Sequence, residues 1–174
     1  MIYRFDGKEP AVGAGTYVSE TAILIGDVRI GSGCYIGHGA ILRGDYGTIV
    51  AGNDCAVEEG AIVHAPPQES CEMEDGVVIG HGAIVHARCL AEWAGVGMGA
   101  ILSIHSEIGR SSVVAEGTVV KQGQVVPDGI VVAGNPARKI RDMTQKDLEF
   151  WARTRQIYSD LARKYCALGM ERIG

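Results

Sequence analysis

Residues 12–41 fall into sixes: VGAGTY, VSETAI, LIGDVR, IGSGCY, IGHGAI. Every unit opens on an aliphatic residue: Val12, Val18, Leu24, Ile30, Ile36. The fifth position is small or β-branched: Thr16, Ala22, Val28, Cys34, Ala40. A helix repeats at 3.6 residues, and a hairpin meander does not hold its glycines at a fixed phase. Short strands joined by regular turns satisfy both facts. The first and fifth positions then point inward, and glycine relieves the corners. Three such units make one triangular coil, and stacked coils make a parallel β-helix.

The beat resumes after a short irregular piece as AGNDCA, VEEGAI and VHAPPQ (51–68), with a break at 65–72. It restarts as MEDGVV, IGHGAI and a five-residue VHARC (73–89), then runs to VAGNPA at 132–137. Cys34, Cys55 and Cys89 take the fifth position, which assigns them as buried small hydrophobes. The spacing thus predicts a solenoid over 1–142. Residues 143–174 change rhythm: Leu148, Trp151, Tyr158, Leu161, Tyr165 and Leu168 share one face of a helix expected to pack along the coil. Thr144 with Asp147 suggests its N-terminal cap, and Asn135-Pro136 marks the turn out of the coil.

Composition narrows the function. Of 174 residues, 47 % are hydrophobic but 6 % aromatic, so Val, Ile, Ala and Leu must fill the core. A net charge of −5 without a basic block argues against nucleic acid as a partner. No apolar run suits a membrane span, and no secretory leader is expected at MIYRFDGKEP. Five cysteines without CxxC point away from a disulfide framework and toward the reducing cytoplasm. Cys71 and Cys166 are left without an assigned role.

Units three apart stack on one face. Those starting at 42, 63 and 85 place Arg43, His64 and His86 in one column, if 65–72 bulges as a loop. Two imidazoles one rung apart can share a tetrahedral metal ion. His81 falls in a neighbouring corner column with His38 and Glu59. One chain therefore struggles to close a three-histidine site, whereas two prisms side by side can. His38 and His105 are read as ordinary turn or interface residues.

The segments RGDYG (43–47), VH (63–64), IGHGAIVH (79–86) and GNPAR (134–138), in this order, resemble the γ-class carbonic anhydrases and their hexapeptide-repeat relatives. The resemblance implies a left-handed coil and a homotrimer with metal sites between subunits. It assigns His64 and His86 from one chain and His81 from the next, with zinc, iron or cobalt bound. Arg43 and Asp45 match an RGD motif implied to pair across that interface, and Tyr158 matches a tail tyrosine that approaches the metal in some relatives.

The match has departures. Glu58 stands where relatives carry a Gln beside the solvent ligand, and Glu59 follows it in place of Asp. An anion at 58 disfavours deprotonation of a bound water, yet it can also accept a proton. Glu59, one rung below His81, is expected to orient that imidazole. Glu69, Glu72 and Glu74 offer either a solvated loop or a proton shuttle. The expected activity is reversible hydration of CO2 to bicarbonate. The rivals are an acyl-CoA-dependent transferase or thioesterase on the same coil, and a non-catalytic metal-binding assembly protein.

Overall fold

The computed structural model describes residues 1–174. The chain winds about seven turns of a left-handed parallel β-helix and ends in one helix. Inward residues follow the six-residue beat: Ala22 and Leu24, Val28 and Ile30, Cys34 and Ile36, Ala40 and Leu42 are all at most 5 % exposed. Within each pair the residues are two apart, so strand alternation sends both inward and the residue between them outward. This single column of Ala, Val, Ile, Leu, Cys and Met forms one continuous core. At one corner Gly39, Gly60, Gly82, Gly99 and Gly117 stack at φ 71°, 70°, 66°, 65° and 64°. Only glycine takes that left-handed turn without strain, which explains the fixed phase of those glycines.

The three outer faces differ. On the first, the registered strand positions Ile23, Ile41, Ile62, Ile84, Ile101 and Val119 line up as an outward aliphatic ladder. On the second, the outward residues are Arg29, Val50, Glu72, Cys89, Glu107 and Val125. The third carries Tyr17, Tyr35, Ala56, Val78 and Gly95, and the helix Gln145–Leu168 lies on it. Trp151, Tyr158, Leu161, Ala162 and Tyr165 pack there. Tyr17 stacks on Tyr165 with ring centroids 4.5 Å apart. Gly95 leaves room for Trp151, because a Cβ there would come within 2.8 Å of the indole.

The Thr144–Asp147 capping box is present: each side chain accepts from the other residue's backbone N–H. The strand Arg138–Asp142 closes the coil antiparallel to Ile130–Ala133.

Three sequence expectations change. Cys89 does not point inward. The five-residue unit shifts the phase, so Ala87 and Leu90 are buried and Cys89 is half-exposed on the second face. Leu148 and Leu168 do not join the packed helical face: they are 39 % and 74 % exposed, lying at the two ends of the helix. The break at 65–72 is shorter than read, since Ser70–Met73 already pairs with the strand Ile41–Ala51. That register buries Cys71 completely, and burial pushes its thiol up to about 12. Cys166 is exposed.

Candidate metal centre

The beat is broken where the expected ligands stand. After Leu42, Val63 and Val85 the coil resumes at the inward pairs Ile49 and Ala51, Cys71 and Met73, and Ala87 and Leu90, out of step with the six-residue spacing. The corner they turn is therefore irregular. Register places Arg43 beside His64. Val85 sits beside Val63, so His86 follows directly over His64. The two imidazole centroids are 4.8 Å apart with planes at 72°. Burial, reinforced by the Arg43 guanidinium, holds both rings below the ordinary histidine pKa. They are therefore neutral at neutral pH, the state a metal ligand requires. Both ring nitrogens of His64 are buried without a hydrogen-bond partner. Asp45 Oδ1 lies 3.6 Å from His64 Nε2, too far for a hydrogen bond.

Arg43 and Asp45 are implied to pair across an interface. Here Arg43 Nη1 donates to Asp45 Oδ2 within the chain, at 2.7 Å. Residues two apart in a strand share a side, and Gly44 between them adds no bulk. Burial of Asp45 works against ionisation, but bonds from Arg43 and the Tyr46 N–H outweigh it and hold its carboxyl below the usual range.

His81 stands at the glycine corner in the column His38, Glu59, His81. Gly60 N donates to His38 O and Gly82 N to Glu59 O, both at 3.0 Å. His81 Nδ1 is 2.7 Å from Glu59 Oε2, and Nε2 is 3.1 Å from Glu58 Oε2. Tyr158, brought in by the helix, places its hydroxyl 3.4 Å from the same Nε2. Glu58 is 5 % exposed. Burial raises its pKa, against the pull of His81, whose backbone N–H also donates to it at 3.1 Å.

No group of three His, Cys, Asp or Glu side chains of one chain is placed to hold a metal ion. The strand Ile84–Val85 accounts for this. His81 precedes it at one edge of the aliphatic face, and His86 follows it at the other.

Other contacts were not legible in the sequence. Tyr35, 1 % exposed, donates from its hydroxyl to Glu59 Oε1 at 2.6 Å. His38 is not companionless: its Nδ1 is 2.6 Å from Ser19 Oγ, and its Nε2 is 3.4 Å from the Tyr165 hydroxyl. His105 Nε2 lies 2.7 Å from Glu69 Oε2, a contact that ties down that loop residue. Glu74 accepts from the Glu92 N–H at 2.8 Å, and Glu72 from Ser70. Tyr35 did leave a trace: it sits in the unit before His38, on the same face as Ala56 and Val78.

No family model matches the chain. A carbonic anhydrase of Geobacillus kaustophilus is 33 % identical over 172 residues, covering 99 % of this chain and 94 % of that one. The carnitine operon protein CaiE of a Proteus species is 34 % identical, covering 97 % of this chain and 85 % of its own. Among solved structures, a suggested acetyltransferase from Bacillus cereus superposes with TM-score 0.93 at 30 % identity, covering 96 % of this chain and 97 % of that one. With the six-residue coil and these relatives along nearly its whole length, the chain belongs to the γ-carbonic-anhydrase-like hexapeptide-repeat family.

Proposed function

We propose that the chain is a metal-dependent, carbonic anhydrase-like protein that hydrates CO2 reversibly to bicarbonate at sites between the copies of a homotrimer. The observation that carries this reading is the His64–His86 pair. The two rings are desolvated and 4.8 Å apart, and both His64 nitrogens lack partners. A buried unpaired polar group costs roughly 1–3 kcal/mol, and a shared cation removes that cost.

His64, His86 and the partner's His81 would hold the ion. Three neutral imidazoles suit zinc best, with Fe2+ or Co2+ as alternatives. When bound, the ion supplies a Lewis acid that lowers the pKa of a coordinated water toward ~7. Glu59 fixes the His81 ring by taking its Nδ1 proton in a hydrogen bond, leaving Nε2 as the donor atom. Glu58, buried and held toward its protonated form, stands beside Nε2 as a proton acceptor of raised affinity. Tyr158 closes the helix side of the same nitrogen. Arg43 and Asp45 hold each other beside His64 and keep the pair in register.

The aliphatic ladder supports the assembly. Ile84 and Ile101 are 37 % and 38 % exposed at its centre, and no element of the chain covers this face. A ring of prisms about an axis parallel to the coil buries three such faces. It also brings the His81 edge of one chain to the His86 edge of the next at the same height. Five free thiols support a reducing, cytoplasmic location, and no helix is long and apolar enough to cross a membrane.

Metal analysis of anaerobically purified protein, with stopped-flow CO2 hydration on wild type and Glu58→Gln, tests the reading. The expected result is about one ion per chain and hydration above background. Metal bound without hydration makes this a non-catalytic assembly protein. Absence of a stoichiometric metal overturns the proposal.

A second reading, acyl transfer from CoA, draws on the likeness to the Bacillus cereus structure. It also draws on the exposed His105–Glu69 pair, an imidazole and carboxylate 2.7 Å apart that can act as a base. Saturation-transfer NMR with CoA separates the two: clear binding favours acyl transfer.

A further inference from the structure

Resting on the proposed ring of copies, we infer that Glu116 of each chain forms an ion pair with the partner's Lys121, two coils above the histidine site. This pair favours the level, closed ring, in which the metal site is complete, over a staggered, open stack of copies.

The inference follows from the translational repeat of the coil. Val85, Leu102 and Val120 are register partners, so His86, Ser103 and Lys121 form one column. Ile79, Val96 and Val114 are register partners at the other edge, so His81, Met98 and Glu116 form a second column. Backbone bonds from Gly99 N to His81 O and from Gly117 N to Met98 O, both 2.9 Å, hold that second column. Glu116 and Lys121 are therefore His81 and His86 displaced together by two rungs, about 10 Å. Any packing that brings His81 of one chain to the partner's His86 also brings Glu116 to the partner's Lys121. Two imidazole nitrogens on one zinc ion sit roughly 3–3.5 Å apart. Side chains longer than histidine bridge the same gap.

Both residues are free to do so. Glu116 and Lys121 are exposed, and neither takes part in any of the ion pairs within the chain. The rung between them and the histidines places uncharged Met98 against Ser103. Stepping each copy by one rung, which opens the ring into a stack, would oppose Glu116 to Ser103 and leave both charges unpaired. The hydrophobic ladder alone does not distinguish these alignments, because Ile62, Ile84 and Ile101 are equivalent along it. Opposite charges at one height do, which is how polar pairs specify register.

Charge reversal tests this. Glu116→Lys and Lys121→Glu each convert every interface of the ring to a like-charged one. Sedimentation equilibrium at 0.05–0.15 M salt is expected to show association weakened roughly tenfold to hundredfold in each, given three exposed pairs per ring. Circular dichroism of both should match wild type, since the sites are exposed. The double variant Glu116→Lys/Lys121→Glu restores the opposite charges and is expected to recover wild-type association. Mixing the two single variants is expected to rescue only in part, because an odd ring always keeps one like-charged interface. A wild-type protein that stays monomeric overturns the ring itself. A wild-type trimer unaffected by either reversal overturns the ion pair and leaves the ring standing. Single variants that weaken without recovery in the double also overturn the pair.

Discussion

Tyr35→Phe isolates one bond that supports His81 through Glu59. The Tyr35 ring is 1 % exposed, stacks 5.6 Å from Tyr17 and lies 5.2 Å from Tyr158. Phenylalanine keeps this packing, so the loss is confined to the 2.6 Å hydrogen bond to Glu59. A bond to a charged acceptor contributes about 1.5–3 kcal/mol. The lower end applies here, because the Glu59 side chain is 35 % exposed. The variant is therefore expected to lose about 1.5 kcal/mol in urea unfolding of the metal-free protein, with an unchanged m-value.

The effect depends on pH with a definite sign. Burial pushes the Glu59 carboxyl up, but the bonds it accepts from Tyr35 and its own backbone, with His81 nearby, outweigh this and leave it depressed. A depressed carboxyl adds stability above its unfolded value, about 4.3, and loses it as pH falls through the folded value. The difference between wild type and Tyr35→Phe should therefore be full at pH 7 and shrink below about pH 4. Loosening Glu59 also loosens the His81 ring, so metal affinity measured by competitive chelation is expected to fall about 10–100-fold. A variant within about 0.5 kcal/mol of wild type at pH 7, with unchanged metal affinity, would refute the reasoning.

Other perturbations address other links. His81→Ala should abolish metal binding while the oligomer persists; elemental analysis showing full occupancy would contradict the ligand assignment. Ile84→Asp places a charge in the middle of the aliphatic ladder and should yield a folded monomer by light scattering, whereas Arg29→Asp on the polar face should leave the mass unchanged. Gly95→Ala sets a Cβ 2.8 Å from the Trp151 ring and should cost about 1–3 kcal/mol by forcing the indole off the coil. Trp fluorescence and a proteolytic cut in 145–168 would report the displaced helix, and an unaltered melting curve would count against the packing argument.

The coil was legible because its code is local. An aliphatic residue every six positions, with a small residue two places before it, dictates which side chains turn inward whatever else the chain does. The same periodicity placed His86 over His64 and Glu59 under His81, since stacking in a solenoid is fixed by counting units. Irregular units defeated the count. The five-residue VHARC shifted the phase and turned Cys89 outward, and the strand Ser70–Met73 buried Cys71 where a loop was read.

The contacts between distant segments were decided only by the tertiary structure. The sequence marked Tyr158 through family likeness, but only docking of the helix on the Tyr17–Gly95 face set its hydroxyl 3.4 Å from His81. Tyr35 reaches Glu59, 24 positions on, because the chain completes one coil and returns beside it. His105 meets Glu69 for a similar reason, across 36 residues. Periodicity fixes height and face along the prism. The direction and reach of a side chain at an irregular corner depend on what packs there, and that is a property of the folded chain rather than of any short stretch of it.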